Sequence, residues 1–375
     1  MSRPTARLKD IAALTGFSIN TVSVALRGRP HIPEATRARV LEVARGLNYL
    51  PNAVARSLVS RTTRTIGVVL TNILNPILTQ VVQAIEENLV TLGYGAVFSF
   101  SDHDVAKERD VLDRLLERQV DGILIYPANH DQVDHLIHLR ARGVPVVLLT
   151  RVTNAEFDVV SLDDRKGAAL ITRHLLELGH RKVAFLDASQ KHGNREKLLG
   201  YNDALLEEGL APSAPLIVTP EGNSPLHGYQ AMPTLMTASK RPTAILASAD
   251  SLAIGVLRWC RENAVRVPDD LAVAGFDNIE VSGFLDVPLT TVSYPPGQVA
   301  KAAVHRMIEL VGLPQSSRNA LVHVIDPQLV VRTSSGKPWP ATTGKTSSHT
   351  RQPPSRRRSA SQSRKHRASL QEALK

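Results

Sequence analysis

Between residues 64 and 332 the sequence repeats one rhythm, in which short β-branched apolar runs alternate with amphipathic stretches of helical periodicity. The apolar runs fall at 65–70, 96–100, 122–126, 144–149, 182–186, 243–247 and 271–276. The helical stretches between the first of them fall at 77–92, 106–118 and 132–142. This alternation predicts an α/β fold with parallel sheets covered by helices on both faces. The segment is longer than a usual single core, so we expect two lobes, with a ligand cleft at the carboxyl ends of their strands.

Charge is distributed unevenly along the chain. Residues 1–61 contain ten Lys and Arg against three Asp and Glu, and residues 333–375 contain ten against one. The formal net charge of +10 therefore belongs to a basic head and a basic tail, while the residues between them are net acidic. Basic segments of this kind most often contact nucleic acid, so the head is a candidate DNA-binding element.

The single cysteine, Cys260, excludes a disulfide framework and a cysteine-based zinc site, and it fits a reducing compartment. No window approaches the roughly 18 to 20 unbroken apolar residues that a membrane span needs. The basic residues of 1–10 are not followed by the apolar core of a secretory signal. We therefore expect a cytoplasmic protein that has no membrane partner.

The tail, residues 333–375, is dominated by Ser, Thr, Pro, Gly and Arg, with three consecutive arginines at 356–358. Too few apolar residues remain there to offset the entropy of ordering, so the tail is predicted to be disordered. Two interpretations stay open for it, a solubilising segment without a specific role and an auxiliary arm that binds phosphate.

The head begins with a pattern of two short helices around a tight turn, over residues 8–26. Ala12 is small where the helices must approach, Gly16 sits at the bend where positive φ costs a glycine nothing, and Val22 faces inward. This spacing is typical of a helix-turn-helix. Ser18 is predicted to cap the second helix, because its hydroxyl can accept an unpaired backbone N–H.

A third helix is predicted over residues 34–47, with apolar residues at helical spacing and Pro33 at its first position. A further short helical stretch follows at 51–60. A basic structural domain without a DNA partner is the alternative interpretation of this head, and a plain linker is the alternative for 51–60.

Seven runs together make the sequence resemble the LacI/GalR family of bacterial transcriptional regulators over residues 8–332: LKDIAALTGFSINTVSVAL, LNYLPNAVARSL, QVDGILIYP, LGHRKVAFL, GYNDAL, GFDNIEVS and PLTTVSYP. The resemblance implies a three-helix helix-turn-helix domain at 1–50, and a hinge helix with its linker at 51–63. It also implies a two-lobed body like that of periplasmic sugar-binding proteins at 64–332, before the tail at 333–375. The chain is expected to cross between the lobes near 160–163, 290–293 and 324–328.

The resemblance places the second helix in the major groove of operator DNA, with base-reading positions at Ile19, Asn20 and Val24. Asn20 can form a bidentate contact with adenine, while Ile19 offers only apolar contact, for instance to a thymine methyl. Many relatives carry arginine in place of Val24, so the operator is expected to differ from the commonest family half-site. Leu58 of the hinge would wedge into a minor-groove base step. The full set of implied DNA contacts is Ser18, Ile19, Asn20, Thr21, Ser23, Val24, Asn52, Ala55 and Leu58, and ordinary surface roles remain open for the short hydroxyls.

The resemblance also implies a set of effector contacts in the cleft: Asn75, Ile77, Leu78, Ala128, Arg151, Lys191, Lys197, Asn223, Asp250 and Asp277. Asp277, in the run GFDN, would accept two sugar hydroxyls or, alternatively, cap the helix that follows it. Asp250 would cap the helix that starts there or contact the ligand. Lys197 and Thr150 stand where the family commonly carries arginine and aspartate, and these departures leave the identity of the effector open.

We therefore expect a homodimeric repressor that binds operator DNA and is controlled allosterically by a sugar or sugar derivative, with a purine co-repressor mode as an alternative. Some relatives need a C-terminal heptad helix to form tetramers, and the tail lacks that repeat. A solute-binding receptor is the rival from another class, but it would need an export signal and no basic head.

An enzyme of sugar metabolism is a further rival, and the sequence argues against it. The chain contains no phosphate-binding Gly-x4-Gly-Lys-Ser/Thr loop and no Gly-x-Ser-x-Gly elbow. Three histidines, His130, His135 and His138, recur on one predicted helix, where a solvated face is favoured over a metal site. We expect no catalytic activity, no metal and no cofactor.

Overall fold

The computed structural model describes residues 6–27, 32–49, 62–152, 156–237 and 241–336. In the head, three helices pack around one small apolar core: α1 (Leu8–Thr15), α2 (Ile19–Leu26) and α3 (Glu34–Gly46). The core consists of Ile11, Val22, Ala25, Val40 and Ala44. This core is separate from the clusters that stabilise the rest of the chain, so the head has its own source of stability.

Two turn residues give the head its local geometry, and both were predicted. Gly16 has a φ of 75°, the left-handed region in which glycine is unstrained. The backbone N–H of Thr21 donates to Ser18 Oγ over 3.0 Å, which confirms Ser18 as the cap of α2. The third helix is also confirmed, but Pro33 lies one position before it, at the cap, and not at its first helical position.

The first lobe is built on a six-stranded sheet in the order β11-β5-β4-β3-β1-β2, in which every pair is parallel. Its strands are β1 (Thr65–Leu70), β2 (Gly95–Phe100), β3 (Gly122–Ile125), β4 (Val146–Leu148), β5 (Asp158–Leu162) and β11 (Val322–Ile325). Its helices are α4 (Pro76–Thr91), α5 (Val105–Glu117), α6 (Asp134–Ala141) and α11 (Pro296–Gly312). The alternation of apolar runs and helices is confirmed in this lobe.

The second lobe contains a four-stranded parallel sheet in the order β7-β6-β8-β9. Its strands are β6 (Val183–Leu186), β7 (Ile217–Val218), β8 (Ala244–Ala247) and β9 (Ala272–Ala274). Its helices are α7 (Asp164–Glu177), α8 (Glu196–Glu207), α9 (Pro225–Thr237) and α10 (Asp250–Glu262). A separate antiparallel pair joins β10 (Thr291–Ser293) to β12 (Gln328–Val330).

The chain passes between the lobes three times, at the places that were predicted. It leaves the six-stranded sheet at the end of β5 and enters α7. It returns from β10 to α11, which packs against α4 of the first lobe. It crosses last between β11 and β12. Because all three connections lie together, the carboxyl ends of both parallel sheets face one cleft.

Two helix pairs of the second lobe pack at glycines that permit backbone contact. A β carbon added to Gly255 of α10 would lie 1.9 Å from the carbonyl oxygen of Pro225, at the start of α9. A β carbon added to Gly200 of α8 would lie 1.9 Å from the carbonyl oxygen of Arg165 in α7. These helices therefore approach more closely than any side chain at the two glycines would allow.

The predicted start of the disordered tail at residue 333 is wrong, because the next residues are part of the second lobe. The 3₁₀ helix Thr333–Ser335 follows β12, and both Ser334 and Ser335 are buried. Ser334 Oγ donates to the carbonyl of Val273 over 2.6 Å, which ties this turn to β9. A run of short polar residues is typical of a disordered tail, but here the serine hydroxyls hold the turn in place by hydrogen bonds instead of apolar contacts.

Residues 337–375 and 50–61, which include hinge positions 51–61, lie outside the described residues. The predictions for Asn52, Ala55 and Leu58 fall in the hinge and stay predictions. None of the helices over the described residues is long and apolar enough to cross a membrane.

Candidate functional site

Polar side chains gather where the strands of both lobes end. In the first lobe Tyr126 follows β3 and Thr150 follows β4, and in the second lobe Asp187, Ser248 and Asp277 follow β6, β8 and β9. The carboxyl ends of parallel strands are where ligands of such sheets bind. These residues therefore define the candidate site, which we call the interlobe cleft.

Lys197, on the first turn of α8, is the central cation of the cleft. Its Nζ donates to the carbonyl oxygen of Ser248 over 2.8 Å and lies 3.9 Å from the centroid of the Phe276 ring. Burial acts to lower the pKa of Lys197, but the nearby carboxylates of Asp164 and Asp277 outweigh it and raise that pKa. Lys197 is therefore charged and held in place by its acidic surroundings.

Asp277 is buried at the end of the segment that follows β9. Its backbone N–H donates to the carbonyl of Val292 over 2.9 Å, and its φ of 107° is a conformation that a non-glycine residue rarely adopts. Burial raises the pKa of Asp277 to about 8, the negative charge of Asp250 adds to this, and Lys197 opposes it. The carboxyl group is thus held in a strained, desolvated position, where a ligand could complete its hydrogen bonds.

Tyr126 and Asn194 connect the two lobes across the cleft. The Tyr126 hydroxyl interacts with the side chains of Thr150, in the first lobe, and Asn194, in the second. Burial and the nearby Asp164 raise the pKa of Tyr126 to about 12, so it stays a neutral donor. Burial likewise raises the pKa of the Asp164 carboxyl. The Tyr126 interaction therefore joins side chains of both lobes at the cleft.

Three buried side-chain atoms at the second-lobe edge of the cleft have no hydrogen-bond partner: Asp187 Oδ2, Gln190 Nε2 and Asn223 Oδ1. The other oxygen of Asp187 accepts from both the N–H and the hydroxyl of Ser189, over 2.9 and 2.6 Å. An unpaired buried polar group costs about 1–3 kcal/mol, and such groups are normally satisfied. A polar ligand would supply the missing partners.

The lobes also touch beside the cleft through histidines. The backbone N–H of His130 donates to the backbone carbonyl of His192 over 2.7 Å. The rings of His103 and His192 stack with centroids 4.0 Å apart. Burial lowers the pKa of His103 and of His130 to about 4, so both are neutral at pH 7. Arg195 and Asp131 form an ion pair of 3.6 Å on the same side.

The prediction that His130, His135 and His138 form one solvated helix face is wrong for two of them. His130 is buried, lies before α6, and its Nδ1 is 2.8 Å from the carbonyl oxygen of Arg151. His135 Nε2 is 2.7 Å from the buried carboxylate of Glu108. Over the described residues there is no group of three or more His, Cys, Asp or Glu that could hold a metal ion.

Several residues predicted from the resemblance contact the protein itself. Asn75 Oδ1 accepts from the N–H of Ile77 over 3.2 Å and so caps α4, and Ile77 and Leu78 are buried in the first-lobe core. The N–H of Ala128 donates to the Glu108 carboxylate over 2.6 Å. These four predictions concerning the effector stay predictions.

The remaining predicted residues lie at the edge or rim of the cleft. Arg151 has an exposed side chain beside the buried Thr150. Lys191 forms an ion pair with Glu221, and Asn223 holds one of the unpartnered oxygens. Lys197, Asp277 and Asn223 are thus the predicted residues whose surroundings best suit a polar ligand.

The interpretation of Asp250 as the cap of its own helix is wrong. Ala249 is the cap residue of α10, and Asp250 is buried. Its carboxylate accepts from the N–H of Ile279 over 2.9 Å and from the Thr291 hydroxyl over 2.6 Å. Asp250 therefore fastens the segment that carries Asp277. The alternative for Asp277 fails similarly, because Ile279 is the cap residue of the 3₁₀ helix that follows.

The exposed part of α2 is the candidate nucleic-acid interface. Ser18, Ile19 and Asn20 are exposed, whereas Val22 and Ala25 on the opposite side are buried. Ile19 is 53% exposed, so its apolar side chain is available for a contact outside the head. The hydroxyls of Ser18 and Thr21 are 2.9 Å apart, and Thr21, Ser23 and Val24 are partly exposed beside them.

Replacing Asp277 by Asn is expected to stabilise the unliganded protein at high pH. A carboxyl whose pKa is raised by folding stabilises the fold only while it is protonated, so that stability is lost as pH rises toward about 8. We expect Asp277→Asn to raise the Tm at pH 8.5 by about 2 °C for each unit by which that pKa is raised, and to change it little near pH 4. Thermal unfolding across this range measures the effect. Asp286→Asn, at an exposed carboxyl, is the control, and parallel Tm profiles for Asp277→Asn and wild type would contradict the prediction.

Two family models match the chain. Residues 7–52 match the model described as bacterial regulatory proteins, lacI family, and residues 172–335 match the periplasmic binding protein-like domain. The chain is 33% identical over 334 residues to the HTH-type transcriptional repressor PurR of Photobacterium profundum, covering 88% of this chain and 98% of that protein. It is 31% identical over 333 residues to the ribose operon repressor of Haemophilus influenzae, with the same coverage.

Solved structures give the same picture. The Lac repressor dimer bound to operator and the anti-inducer ONPF superposes with a TM-score of 0.80 and 26% identity, covering 88% of this chain and 99% of that one. The complex of the transcriptional regulator CelR with cellobiose has a TM-score of 0.67 and 26% identity, covering 88% and 100%. The likeness spans the head and both lobes.

Proposed function

The chain belongs to the LacI family of bacterial regulatory proteins, and we propose that it is a cytoplasmic repressor that releases its operator when a sugar or sugar derivative occupies the interlobe cleft. The observation that carries the proposal is the polar cluster at the cleft. Buried carboxylates surround Lys197 there, and Asp187 Oδ2 and Asn223 Oδ1 lack donors. A molecule rich in hydroxyl groups meets these needs, because each hydroxyl both donates and accepts.

At the DNA end, α2 would lie in the major groove with Ile19 and Asn20 against base edges. Asn20 would pair with adenine and Ile19 would pack on a thymine methyl. Ser18, Thr21 and Ser23 would contact phosphates, which set the register of the helix on the duplex without reading sequence. The basic residues of the head add affinity that falls as salt rises.

Effector binding would act on the DNA through the relative position of the lobes. Contacts such as Tyr126 to Asn194 and His130 to His192 already cross between the lobes, so a ligand there changes the free energy of one arrangement against another. Coupling of this kind is typically worth about 1–3 kcal/mol. The hinge at 51–63 would transmit it, because so short a helix is marginal alone and forms only with support.

The operator-binding form is proposed to be a homodimer. The Lac repressor structure that superposes on this chain is a dimer bound to operator. On the second lobe here, Phe284 is 82% exposed, and Val281 and Leu226 are also exposed. A dimer interface could cover these side chains, and a two-fold dimer would present two α2 helices to a palindromic site.

A purine-responsive co-repressor mode is the second candidate. The ring of Phe276 lies under Lys197, and the hydroxyl pKa values of Tyr126 and Tyr294 are both raised by burial near the cleft. Phe276 itself is buried, but Tyr126 and Tyr294 are partly exposed, and such rings could stack on a planar base. In this mode a purine would strengthen operator binding, whereas a sugar inducer would weaken it. Conversion of a sugar by the purified protein would instead indicate an enzyme.

Replacing Asp277 by Ala tests the proposal. We expect the ligand concentration needed for half-release of operator to rise at least tenfold, because the loss of a buried acceptor removes about 1.5–3 kcal/mol of hydrogen bonding. Operator affinity without ligand should stay within about twofold. Fluorescence anisotropy of a labelled operator, titrated with ribose, cellobiose, guanine and hypoxanthine, measures both quantities.

Asp286→Ala is the matched control, since Asp286 is an exposed carboxyl of the same lobe. An unchanged dose response in Asp277→Ala would remove that residue from the site. If no sugar and no purine changes the affinity of the protein for its known genomic operator, the proposed control by a sugar or a purine is refuted.

A further inference from the structure

We propose that the first lobe holds a second small-molecule site, outside the interlobe cleft, which binds a carboxylate with an apolar body and changes operator affinity when it is occupied. The site is a cavity of about 330 Å³ at the edge of the six-stranded sheet where β4 begins. We call it the hinge-edge pocket, and its apolar and cationic walls are formed by Ile137, Val144, Pro145, Leu310, Arg140 and Arg318. The inference goes beyond the proposed function, because none of these residues belongs to the interlobe cleft.

The apolar wall of the hinge-edge pocket is not filled by the protein. Ile137 lines the pocket from α6 with a side chain that is 43% exposed, and Val144 and Pro145 beside it are half-buried. Leu310 lines it from α11 and is buried. A single exposed isoleucine is common on a protein surface, but this one forms a wall of a cavity. The volume is at the lower end of the range of small-molecule pockets, about 300–1,000 Å³, so the ligand must be compact.

Two guanidinium groups in the pocket have unused donors. Arg140 donates through Nη1 to the carbonyl of Glu156, and its Nε and Nη2 have no acceptor among the described residues. Arg318 donates through Nε to the Leu313 carbonyl over 3.1 Å and through Nη1 to the Gly143 carbonyl over 2.7 Å. Within the same part of the chain its Nη2 has no acceptor. The planar fork of a guanidinium group suits a carboxylate, which accepts two parallel hydrogen bonds.

One carboxylate, that of Asp158, lines the pocket, and it is already bound. It accepts from Arg306 Nε over 2.7 Å and from the backbone N–H of Leu321 over 3.1 Å. Arg306 therefore neutralises it. The carboxylates of Glu156 and Glu309 are not part of the lining, and both are exposed, so water screens them.

Arg140 and Arg318 have no carboxylate partner within the ranges that the structure describes. Burial lowers the pKa of Arg318, and the negative charge of Asp158 opposes that effect. The Arg318 guanidinium is thus partly desolvated without an ion pair of its own. The carbonyl of Ala141 at the end of α6 does not compete for a ligand, because it accepts from Gln315 Nε2 over 3.2 Å. An anion in the pocket gains an attraction that is stronger than in bulk water.

A carboxylate with an apolar body satisfies both walls of the pocket. Its oxygens accept from the unused donors of Arg140 and Arg318, while its body removes the Ile137 side chain from water. A sugar lacks the apolar surface that this wall requires, and a small anion such as acetate lacks the body. The chemistry of the pocket therefore differs from that of the interlobe cleft.

Hydrogen bonds connect the hinge-edge pocket to the hinge. The Pro145 carbonyl accepts from the N–H of Ile123, at the start of β3, over 2.9 Å. Two residues earlier, Asp121 accepts from the backbone N–H of Thr63 over 2.7 Å. Thr63 ends the proposed hinge at 51–63. Because β1 and β4 both flank β3, their first residues lie about 10 Å apart. A ligand that moves Pro145 therefore acts close to the segment that leads to the DNA.

The experiment uses the full chain and 3-phenylpropionate as the probe. Two matched probes separate its parts: 3-phenylpropan-1-ol keeps the apolar body without the charge, and acetate keeps the charge without the body. Isothermal titration at pH 7.5 gives each Kd. We expect a Kd of about 1 mM or tighter for 3-phenylpropionate, and at least about tenfold weaker binding of either matched probe. Equal binding of the alcohol, or no binding of 3-phenylpropionate up to about 10 mM, would overturn the inference.

Variants locate the probe. Arg140→Gln should weaken 3-phenylpropionate at least about tenfold, whereas Arg142→Gln, at an exposed arginine two residues further along, should leave its Kd within about twofold. Ile137→Asp should weaken it as well, and because Ile137 is exposed this variant remains informative if Arg140→Gln lowers stability. Asp277→Ala should bind the probe as wild type does, so a failure of the sugar proposal leaves this test intact. Equal Kd values for wild type, Arg140→Gln and Ile137→Asp would place the probe elsewhere and refute the site.

Anisotropy of a labelled genomic operator measures the effect of the pocket on DNA binding. With 3-phenylpropionate near saturation, we expect the operator Kd of wild type to change about 5- to 150-fold, and that of Arg140→Gln to change by less than about twofold. A change of equal size in both proteins would show that the probe acts through another site. An unchanged operator Kd in wild type, with the probe bound, would contradict the coupling to the hinge.

Discussion

Removal of residues 1–61 is expected to lower the affinity for the specific operator at least about 1,000-fold while leaving effector binding within twofold. The head has its own apolar core, Ile11, Val22, Ala25, Val40 and Ala44, and the cores of the lobes contain none of these residues. The body should therefore fold without the head and keep its cleft. The head carries α2, to which we assign the base contacts, and much of the basic charge.

Fluorescence anisotropy on a labelled operator measures the first quantity, and isothermal titration with the best ligand measures the second. Asn20→Ala is the graded companion variant, and it should cost about 1–3 kcal/mol at the adenine that it reads. A chain starting at Thr62 that binds operator as tightly as the full chain would place the DNA contacts elsewhere. Loss of ligand binding together with DNA binding would show that head and body do not fold separately.

Replacing Gly255 by Ala is expected to destabilise the second lobe by about 3 kcal/mol or more. The added β carbon would lie 1.9 Å from the Pro225 carbonyl oxygen and 2.7 Å from the Tyr229 nitrogen. Both are backbone atoms, so no side chain can rotate away, and α9 and α10 must move apart. For a protein of this size the loss corresponds to a fall in Tm of roughly 4–6 °C.

Gly297→Ala is the matched control, because a β carbon at Gly297 in α11 meets nothing within 4 Å. That change should be neutral or slightly stabilising, since alanine favours a helix more than glycine does. Differential scanning calorimetry of the two variants separates packing from helix propensity. Equal Tm values for Gly255→Ala and wild type would contradict the close approach of the two helices.

Features that depend on neighbouring residues in the chain were predicted well. Gly16 and Ser18 specify the turn of the head through their own backbone and hydroxyl, so their roles needed no information from elsewhere in the chain. Seven strands were predicted to within a few residues, because β-branched runs and helical periodicity are also local, whereas β5, β7, β10, β11 and β12 were not predicted. The cleft at the strand ends followed from the fold class.

Long-range contacts were the part that local pattern could not predict. Asp250 lies at a helix start, yet its carboxylate is committed to Ile279 and Thr291. Ser334 and Ser335 look like the start of a polar tail but hydrogen-bond inside the second lobe. Both errors arose because the sequence does not show whether the hydrogen bonds of a short polar side chain are made with water or with the protein.

Four residues of the cleft were not named from the sequence: Tyr126, Asp164, Asp187 and Asn194. A signal for three of them was present. Tyr126 and Asp187 directly follow β3 and β6, and Asp164 opens the helix after β5, so each lies at a carboxyl end. Asn194 lies farther along its loop, and only the fold brings it to Tyr126.

The most direct test of the account compares two duplexes in the presence and absence of ligand. The full chain is titrated against its tightest-binding genomic fragment and against a random duplex of equal length, at about 0.15 M salt. We predict a preference of at least about 1,000-fold for the genomic fragment, and a change of about 5- to 150-fold when the best ligand is added. Equal affinity for both duplexes, unaffected by any sugar or purine, would contradict the claim that this chain is a ligand-controlled, sequence-specific repressor.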